Sequence, residues 1–155
     1  MAESKQPDDA VNPDRSRDVI EEHIYLNVER VRQQLEKDYD ELCEKHGVTH
    51  QQYNVLRILY VRGKLPSSDI VNHLVIRSPD VTRLLKRMEK KNLIDRELSR
   101  EDRRVLLAKL TSRGKSVCED IDEELVPLHK NQMDHMTGAE LNQLNELLKK
   151  VLKTS

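Results

Sequence analysis

A single narrow stripe of apolar side chains, repeated every three or four residues along the first third of the chain, constrains the fold most. The spacing predicts one helix of about 28 residues that ends at Gly47. At 1.5 Å per residue that helix is about 40 Å long, more than a small domain needs. We therefore expect the stripe to meet a partner outside its own globule, a second copy of the chain. Its members are Ile20, Ile24, Val28, Val31, Leu35, Tyr39 and Leu42.

The composition favours thin helical layers over one thick core. Of the 155 residues, 35% are charged and 3% aromatic, with no Phe or Trp, so bulky core groups are scarce. Two cysteines cannot form a disulfide framework, which fits a reducing cytoplasm. Residues 1–15 are polar and predict a disordered tail rather than a signal peptide. With no apolar run of membrane-spanning length, the sequence predicts a soluble, cytoplasmic protein.

Capping signals mark the next two helices. Thr49 and Gln52 form a capping box, and Val48 and Tyr53 occupy the two positions of a hydrophobic staple. This second helix is predicted to stop at Gly63. A third helix is predicted to open at residues 66–69, where the sequence reads Pro-Ser-Ser-Asp.

A fourth helix combines a buried face with a basic one. Ser78 is its predicted N-cap and Pro79 its first residue, and Asn92 tolerates the left-handed conformation at its end. Positions i, i+3, i+4 and i+7 are apolar, which predicts one buried face. That face carries Val81, Leu84, Leu85 and Met88, and the opposite face carries Thr82, Arg83, Lys86, Arg87 and Lys90.

The period then changes from that of a helix to that of strands. Residues 93–98 and 103–110 are short β-leaning runs around the polar tip 99–102, which predicts a hairpin. Thr111 caps a fifth helix that Pro127 is expected to kink or end. A capping box of Thr137 and Glu140 opens a leucine-rich last helix. The predicted fold class is mainly α with a small β-wing.

Positive charge is concentrated in the middle of the chain. The net charge is −1, yet residues 77–104 hold ten Lys and Arg against six Asp and Glu. Residues 14–45 hold six against ten, and residues 111–155 hold six against eight. A basic region between acidic flanks is the electrostatic footprint of a polyanion site.

Two short helices joined by a tight turn, the second basic on its outer face, describe a helix-turn-helix. We expect the second helix to enter the major groove of double-stranded DNA and the hairpin to reach an adjacent minor groove. The predicted helix contacts are Ser78, Thr82, Arg83, Lys86 and Arg87, and the hairpin contacts are Arg100, Arg103 and Arg104. Asp102 is predicted to brace the hairpin by bonding one of these arginines. The alternative is a winged-helix module that binds another protein and no DNA.

Other chemistries have weaker support. Cys43 and Cys118 would sense oxidants if their thiols were reactive, but buried inert cysteines are commoner. Cys43 and His46 stand three residues apart and would supply two metal ligands, which is short of a site. No nucleophile and base, phosphate-binding glycine loop or carboxylate pair emerges. The sequence thus predicts no enzyme, no metal and no cofactor.

Four segments together resemble the MarR family of bacterial transcription regulators. They read THQQY at 49–53, DVTRLLKRMEKKNLI at 80–94, REDRR at 100–104 and LTSRG at 110–114. The resemblance extends over about residues 18–152. It departs from the family pattern at Asn92, where glycine is usual, and at Pro127.

The resemblance implies a triangular homodimer that reads a palindrome with two winged domains. The first, fifth and sixth helices would form the dimer interface, and a small-molecule effector would bind between them and the winged domain. The expected organisation is a tail over 1–15, a dimerisation region over 16–47 and 111–155, and a DNA-binding winged helix-turn-helix over 48–110. The expected function is repression at a pseudo-palindromic operator with release by an effector, which the sequence does not identify.

Overall fold

A computed structural model describes residues 19–74 and 80–152. The order of its elements confirms a mainly α chain with a small β-wing. The tail predicted for residues 1–15 lies outside the described residues. Within the described ranges, no helix has the length and apolarity needed to cross a membrane. The elements are α1 Ile20–Lys45, α2 His50–Arg62, β1 Leu65–Pro66, α3 Ser67–His73, α4 Val81–Lys90, β2 Ile94–Leu98, β3 Leu106–Leu110, α5 Ser112–Gln132 and α6 Gly138–Leu152.

The chain divides into two compact units, and the division falls within α1 after Gln34. Of the first unit the structure describes residues 19–34, which are helical from Ile20 onward. The apolar stripe predicted for this helix is exposed throughout the unit, at Ile20, Ile24, Val28 and Val31. The second unit contains the rest of α1 and all the other elements.

The end of α1 confirms the prediction for Gly47. This glycine has a φ of +73°, a left-handed conformation that glycine adopts without strain. Its N–H donates to the carbonyl of Glu44 at 2.9 Å, and the Val48 N–H donates to the carbonyl of Cys43 at 3.1 Å. These two bonds form a Schellman motif, which satisfies the last carbonyls of the helix.

The capping box at the start of α2 is also confirmed. The Thr49 hydroxyl accepts a bond from the Gln52 N–H, and the Gln52 side chain accepts one from the Thr49 N–H. Val48 and Tyr53, the predicted staple, are buried. The chain therefore enters α2 at a defined angle, with the helix facing the core.

The core of the second unit is one apolar cluster. Six elements contribute its largest fully buried side chains, namely α1, α2, α3, α4, β2 and α5, and α4 supplies its entire inner face to it. The cluster anchors α4 so that the other face of that helix remains free. Its members include Tyr53, Val55, Leu56, Ile70, Leu84, Leu85, Met88, Leu93, Ile94 and Ile121.

Three strands form an antiparallel sheet in the order β1-β3-β2. Leu65 lies opposite Ala108, and Ile94 lies opposite Leu110. The sequence contains no signal for β1, because a strand of two residues has no periodicity and exists only through its pairing with β3. β1 thus adds a third strand to the hairpin and joins it to the α2–α3 connection.

The start of α4 differs from the prediction. Ser78 and Pro79, the predicted N-cap and first helical residue, lie outside the described residues. The helix begins at Val81, and Asp80 is its N-cap, with a carboxylate that accepts a bond of 2.9 Å from the Arg83 N–H. Serine and aspartate are both favoured caps, so the preference of Ser78 for this position did not exclude a cap at Asp80, two positions later.

The strands of the hairpin are shorter than predicted. The first strand of the hairpin, β2, ends at Leu98, and the second, β3, begins at Leu106. Arg103 and Arg104 therefore lie in the turn and not in the second strand. The reason is a local bond network in which the Val105 N–H donates to the Asp102 carbonyl and the Ser99 N–H donates to the Val105 carbonyl. The tip is therefore longer and carries more of the positive charge.

Pro127 was expected to kink or end the fifth helix, and the helix does not end there. α5 continues through Pro127 to Gln132. Proline has no N–H and its ring crowds the carbonyl four residues earlier, here that of Glu123. Both residues are exposed, so water can bond the freed carbonyl. The departure at Pro127 is thus accommodated within a single helix.

Candidate nucleic-acid interface

The outer face of α4 presents polar and cationic side chains to solvent. Val81, Leu84, Leu85 and Met88 are buried beneath it, which fixes the rotation of the helix about its axis. Because 3.6 residues make one turn, the intervening positions must point away from the core. The predicted contacts Thr82, Arg83, Lys86 and Arg87 are all exposed, and Ser78 lies outside the described residues.

Asp80 holds the first arginine of this face in place. Its Oδ1 caps the helix through the Arg83 N–H, while its Oδ2 lies 2.8 Å from the Arg83 Nε. The Arg83 side chain is 81% exposed, and an exposed ion pair of this kind stabilises by about 0–1 kcal/mol. The guanidinium is therefore oriented by Asp80 but can exchange it for another anion at small cost.

A groove of about 460 Å³ lies along α4 on the side of the hairpin β2–β3, which we call the wing. The wing contributes Arg96 to this groove. The Arg96 side chain is 17% exposed, and it donates two bonds, of 2.6 and 2.9 Å, to one carboxylate oxygen of Glu89. Arg96 therefore lies in the middle of β2 and braces the wing against α4. The groove is lined by Arg83, Lys86, Arg87, Glu89, Lys90 and Arg96.

The tip of the wing carries three exposed arginines, Arg100, Arg103 and Arg104. Asp102 stabilises the tip through the backbone, since its Oδ1 accepts a bond of 2.9 Å from the Arg104 N–H. The prediction had assigned this carboxylate to an arginine side chain. A carboxylate bonded two residues onward fixes the turn and leaves the guanidinium groups to meet a ligand.

The outer side of the wing is held by a charged cluster that sequence analysis missed. Glu97 accepts bonds from Lys64, next to β1, and from Lys109 of β3. Bonds from Lys109 first, and then from Lys64, lower the pKa of the Glu97 carboxyl to about 2. The cluster fastens the wing to β1, the strand before α3, and so to the body of the domain.

A close contact joins α4, the wing and α5. The Thr111 hydroxyl donates to the Asn92 carbonyl at 2.7 Å and accepts from the Gly114 N–H at 2.9 Å. Asn92 has a φ of +56°, as expected for the residue that replaces glycine there. A Cβ at Gly114 would lie 1.9 Å from the carbonyl oxygen of Leu93, so the backbone of α5 packs directly on the turn after α4.

A polar network ties α2 to α5 below this contact. The Asp122 Oδ1 accepts bonds from the Tyr53 hydroxyl and from the Arg57 Nη1. Burial, and then the bond to Asp122, raises the pKa of Tyr53 well above its usual range. These residues are 65 and 69 positions apart in sequence, so no local pattern could have indicated the network.

Both cysteines are buried in the core and are free thiols. Burial, with a contribution from Asp40, raises the pKa of Cys43 to about 11. Burial, followed by Asp122, raises the pKa of Cys118 to about 12. The reactive species of a cysteine is its thiolate, so both positions favour the inert alternative over redox sensing.

The geometry does not favour the metal pair suggested by Cys43 and His46. The His46 Nε2 lies 2.8 Å from Glu124, whereas Cys43 belongs to the apolar core. Among the described residues no cluster of three or more His, Cys, Asp or Glu side chains is arranged to hold a metal ion.

An exposed basic helix beside a basic wing on a helical body defines a winged helix-turn-helix protein. A family model described as the MarR family matches residues 48–106. The organic hydroperoxide resistance transcriptional regulator of Bacillus subtilis is 33% identical over 124 residues, which cover 78% of this chain and 81% of that protein. The transcriptional repressor MdtR of the same species is 28% identical over 141 residues, covering 91% of each chain.

Solved structures show the same likeness. A mutant of MarR from E. coli, crystallised with operator DNA, superimposes with a TM-score of 0.75 at 27% identity, covering 88% of this chain and 99% of that one. The chain belongs to the MarR family and is a DNA-binding transcriptional regulator. These relatives are regulators, a class that is not enzymatic.

Because the wing tip is held through backbone bonds, its arginines can be tested without disturbing the turn. We expect Arg103→Ala and Arg104→Ala, made separately, to differ. The one that reaches DNA should lose affinity by roughly fivefold to tenfold, the scale of about 1 kcal/mol, and the other should not. Fluorescence anisotropy on an operator selected from random DNA measures both. Wild-type affinity in both variants would show that the wing tip does not contact DNA.

Proposed function

We propose that this chain represses transcription by occupying a pseudo-palindromic operator as a homodimer, and that a small-molecule effector releases it. The observation that carries the proposal is the rotation of α4, which buries its apolar face and exposes Thr82, Arg83, Lys86 and Arg87. A helix with its apolar face buried and its polar face exposed can enter a major groove about 12 Å wide while it stays packed against the core. The DNA-binding part is assigned to residues 48–110.

The position of each cation along α4 assigns it a different role. Arg83 lies in the first turn, which in this mode of docking is deepest in the groove, and Asp80 orients its guanidinium. We assign base-edge contacts to Arg83. Arg87 lies one turn further along, beside Lys90 in the groove that faces the wing, and we assign it phosphate contacts.

Two uncovered apolar surfaces support a homodimer. The stripe on the first part of α1 is exposed, and no residue of α6 that the structure describes is buried. Soluble chains rarely leave such surfaces open unless a partner covers them. We assign dimerisation to residues 16–47 and 111–155, with the two copies of α4 set about 34 Å apart so that they meet successive major grooves.

A cavity of about 810 Å³ beside α4 supports release by an effector. Its walls include carboxylates of α1, at Glu36, Asp40 and Glu44, and cations at Arg87, Lys90 and Lys91. Arg87 belongs both to this cavity and to the groove that faces the wing. A ligand that binds here would release DNA if it preferred a position of α4 that no longer fits the operator.

The named relatives support repression, since MdtR is a repressor and the E. coli protein was crystallised with its operator. A protein-interaction module remains the second candidate function. Salt dependence separates the two, because DNA binding through phosphates falls steeply with salt and an apolar interface does not.

The roles assigned to the two arginines give the decisive test. Arg83→Ala should lose about 1–3 kcal/mol on the operator and relax preference at one position of each half-site. Arg87→Ala should weaken operator and scrambled DNA alike and lower the salt slope by about 1. Anisotropy titrations on both duplexes across a salt series measure this, with melting temperature as the control for folding. If Arg83→Ala keeps full discrimination, α4 is not the sequence reader.

A further inference from the structure

Two leucines of the wing are exposed where the hairpin leaves the body of the domain. Leu98 and Leu106 form the last pair of the β2–β3 ladder, directly opposite each other. They are 58% and 38% exposed. Leucines directly opposite in a ladder lie on the same face and contact each other, so they form one apolar patch, which we call the leucine pair.

The alternation of the strands shows which way this patch faces. Ile94, Arg96 and Leu98 point to one side of β2 because side chains alternate along a strand. On that side Ile94 is buried, and Arg96 reaches Glu89 of α4. The leucine pair therefore lies on the side of the wing that faces α4, one pair beyond Arg96, whereas Glu97 points to the opposite side.

Positive charge borders the leucine pair at both ends. Toward α4 lie the cations of the groove, among them Lys86 and Arg96. Beyond the pair lies the tip with Arg100, Arg103 and Arg104. A ligand that covers the leucine pair must therefore have an apolar surface opposite the leucines and negative charges on both sides of that surface. A second copy of this surface fails the condition, since an isologous contact would bring the same cations face to face.

We propose that the leucine pair packs against the deoxyribose of the phosphodiester backbone that passes between α4 and the wing. The backbone of double-stranded DNA alternates anionic phosphates with apolar sugar faces, which matches the alternation on the protein. The inference rests on the proposed docking of α4 in the major groove. The pair contributes affinity that depends on buried apolar area and not on phosphate charge, and it holds the wing at a fixed distance from the duplex.

The test replaces the apolar contact and keeps the strand. The double variant Leu98→Thr/Leu106→Thr retains β-favouring residues, whereas Leu98→Ile/Leu106→Ile retains the apolar surface as well. The control is Val61→Thr, which also makes an exposed apolar side chain polar, at a residue of α2 that is 72% exposed. Each protein is titrated against a fluorescent selected operator and its scrambled counterpart across a salt series, and its melting temperature and sedimentation are recorded.

The double variant Leu98→Thr/Leu106→Thr, called the Thr pair, should bind both duplexes about fivefold to tenfold more weakly at every salt concentration. This is the loss expected when some tens of Å² of apolar surface per leucine lose their contact. The dependence of its affinity on salt concentration should have the wild-type slope. The double variant Leu98→Ile/Leu106→Ile, called the Ile pair, and Val61→Thr should both bind as wild type does. If the Thr pair melts lower, the single variant Leu98→Thr carries the test with about half the loss.

Four results would overturn the inference: wild-type affinity in the Thr pair, a salt slope lowered by about 1, an equal loss in the Ile pair, or a change in sedimenting mass without DNA. The last would identify a second copy as the occupant. Failure of the wild-type protein to bind either duplex would instead contradict the proposed function itself.

Discussion

Replacing Gly114 by alanine should destabilise this protein strongly, because of the four glycines it alone has no room for an added methyl group. The new Cβ would lie 1.9 Å from the Leu93 carbonyl oxygen and 2.9 Å from its carbon, and both are backbone atoms that cannot rotate away. Overpacking usually costs about 1–3 kcal/mol, and a clash with backbone belongs at or above the upper end. We expect a loss of about 3 kcal/mol or more, which lowers Tm by roughly 10 °C in a domain of this size.

Gly138→Ala is the matched control. Apart from the adjoining backbone of its own helix and its chain neighbours, no atom lies within 4 Å of the position its Cβ would take, and its φ is not in the left-handed region. Its stability should be unchanged or raised by up to about 1 kcal/mol. Urea unfolding of the two variants beside wild type measures both effects. A Gly114→Ala protein that unfolds at the wild-type midpoint would show that the turn after α4 is not packed on α5 as described.

The second large effect concerns the last helix. Removing residues 137–155 should give an unfolded or aggregating protein, because the described residues leave an apolar face of α6 exposed at Leu144, Leu147 and Leu148, and we expect that face to complete the dimer. Analytical ultracentrifugation and circular dichroism measure the outcome. A well-folded monomer would contradict the role we assign to this helix.

A full-length variant separates the effect of losing the interface from the effect of deleting residues 137–155. Leu144→Glu/Leu148→Glu leaves the length, the capping box of Thr137 and Glu140, and the helical propensity intact. Because both leucines are exposed in one copy, the substitution should not disturb the fold of that copy. It should sediment as a monomer or aggregate at concentrations at which we expect wild type to be a dimer, whereas Glu146→Gln on the same helix should behave as wild type.

Local chemistry made much of the fold predictable. The bonds at Thr49, Thr111 and Thr137 are formed by residues three apart, so a sequence pattern can contain them. The left-handed residues Gly47 and Asn92 are equally local, because few residue types tolerate that conformation. The apolar period of α4 is strong enough to fix which of its faces is buried.

Features that depend on distant partners were not predictable. The strand β1 exists because β3 lies beside it, and the continuity of α5 through Pro127 depends on which side of the helix meets water. The same applies to the site. Its exposed cations followed from the pattern, but the bond between Arg96 and Glu89, which positions the wing, and the cluster around Glu97 join residues that no periodicity relates.

The sheet order has a consequence for the unoccupied protein in a crowded cell. β2 is an edge strand, and an unpaired edge offers its amides and carbonyls to strands of other molecules. Three consecutive charged residues, Asp95, Arg96 and Glu97, occupy its middle, and desolvating them would oppose the approach of another strand. The opposite edge is two residues long and contains Pro66, which has no N–H to donate. A hairpin that must project into solvent to find its target is thereby protected from the strand addition that begins fibrillar aggregation.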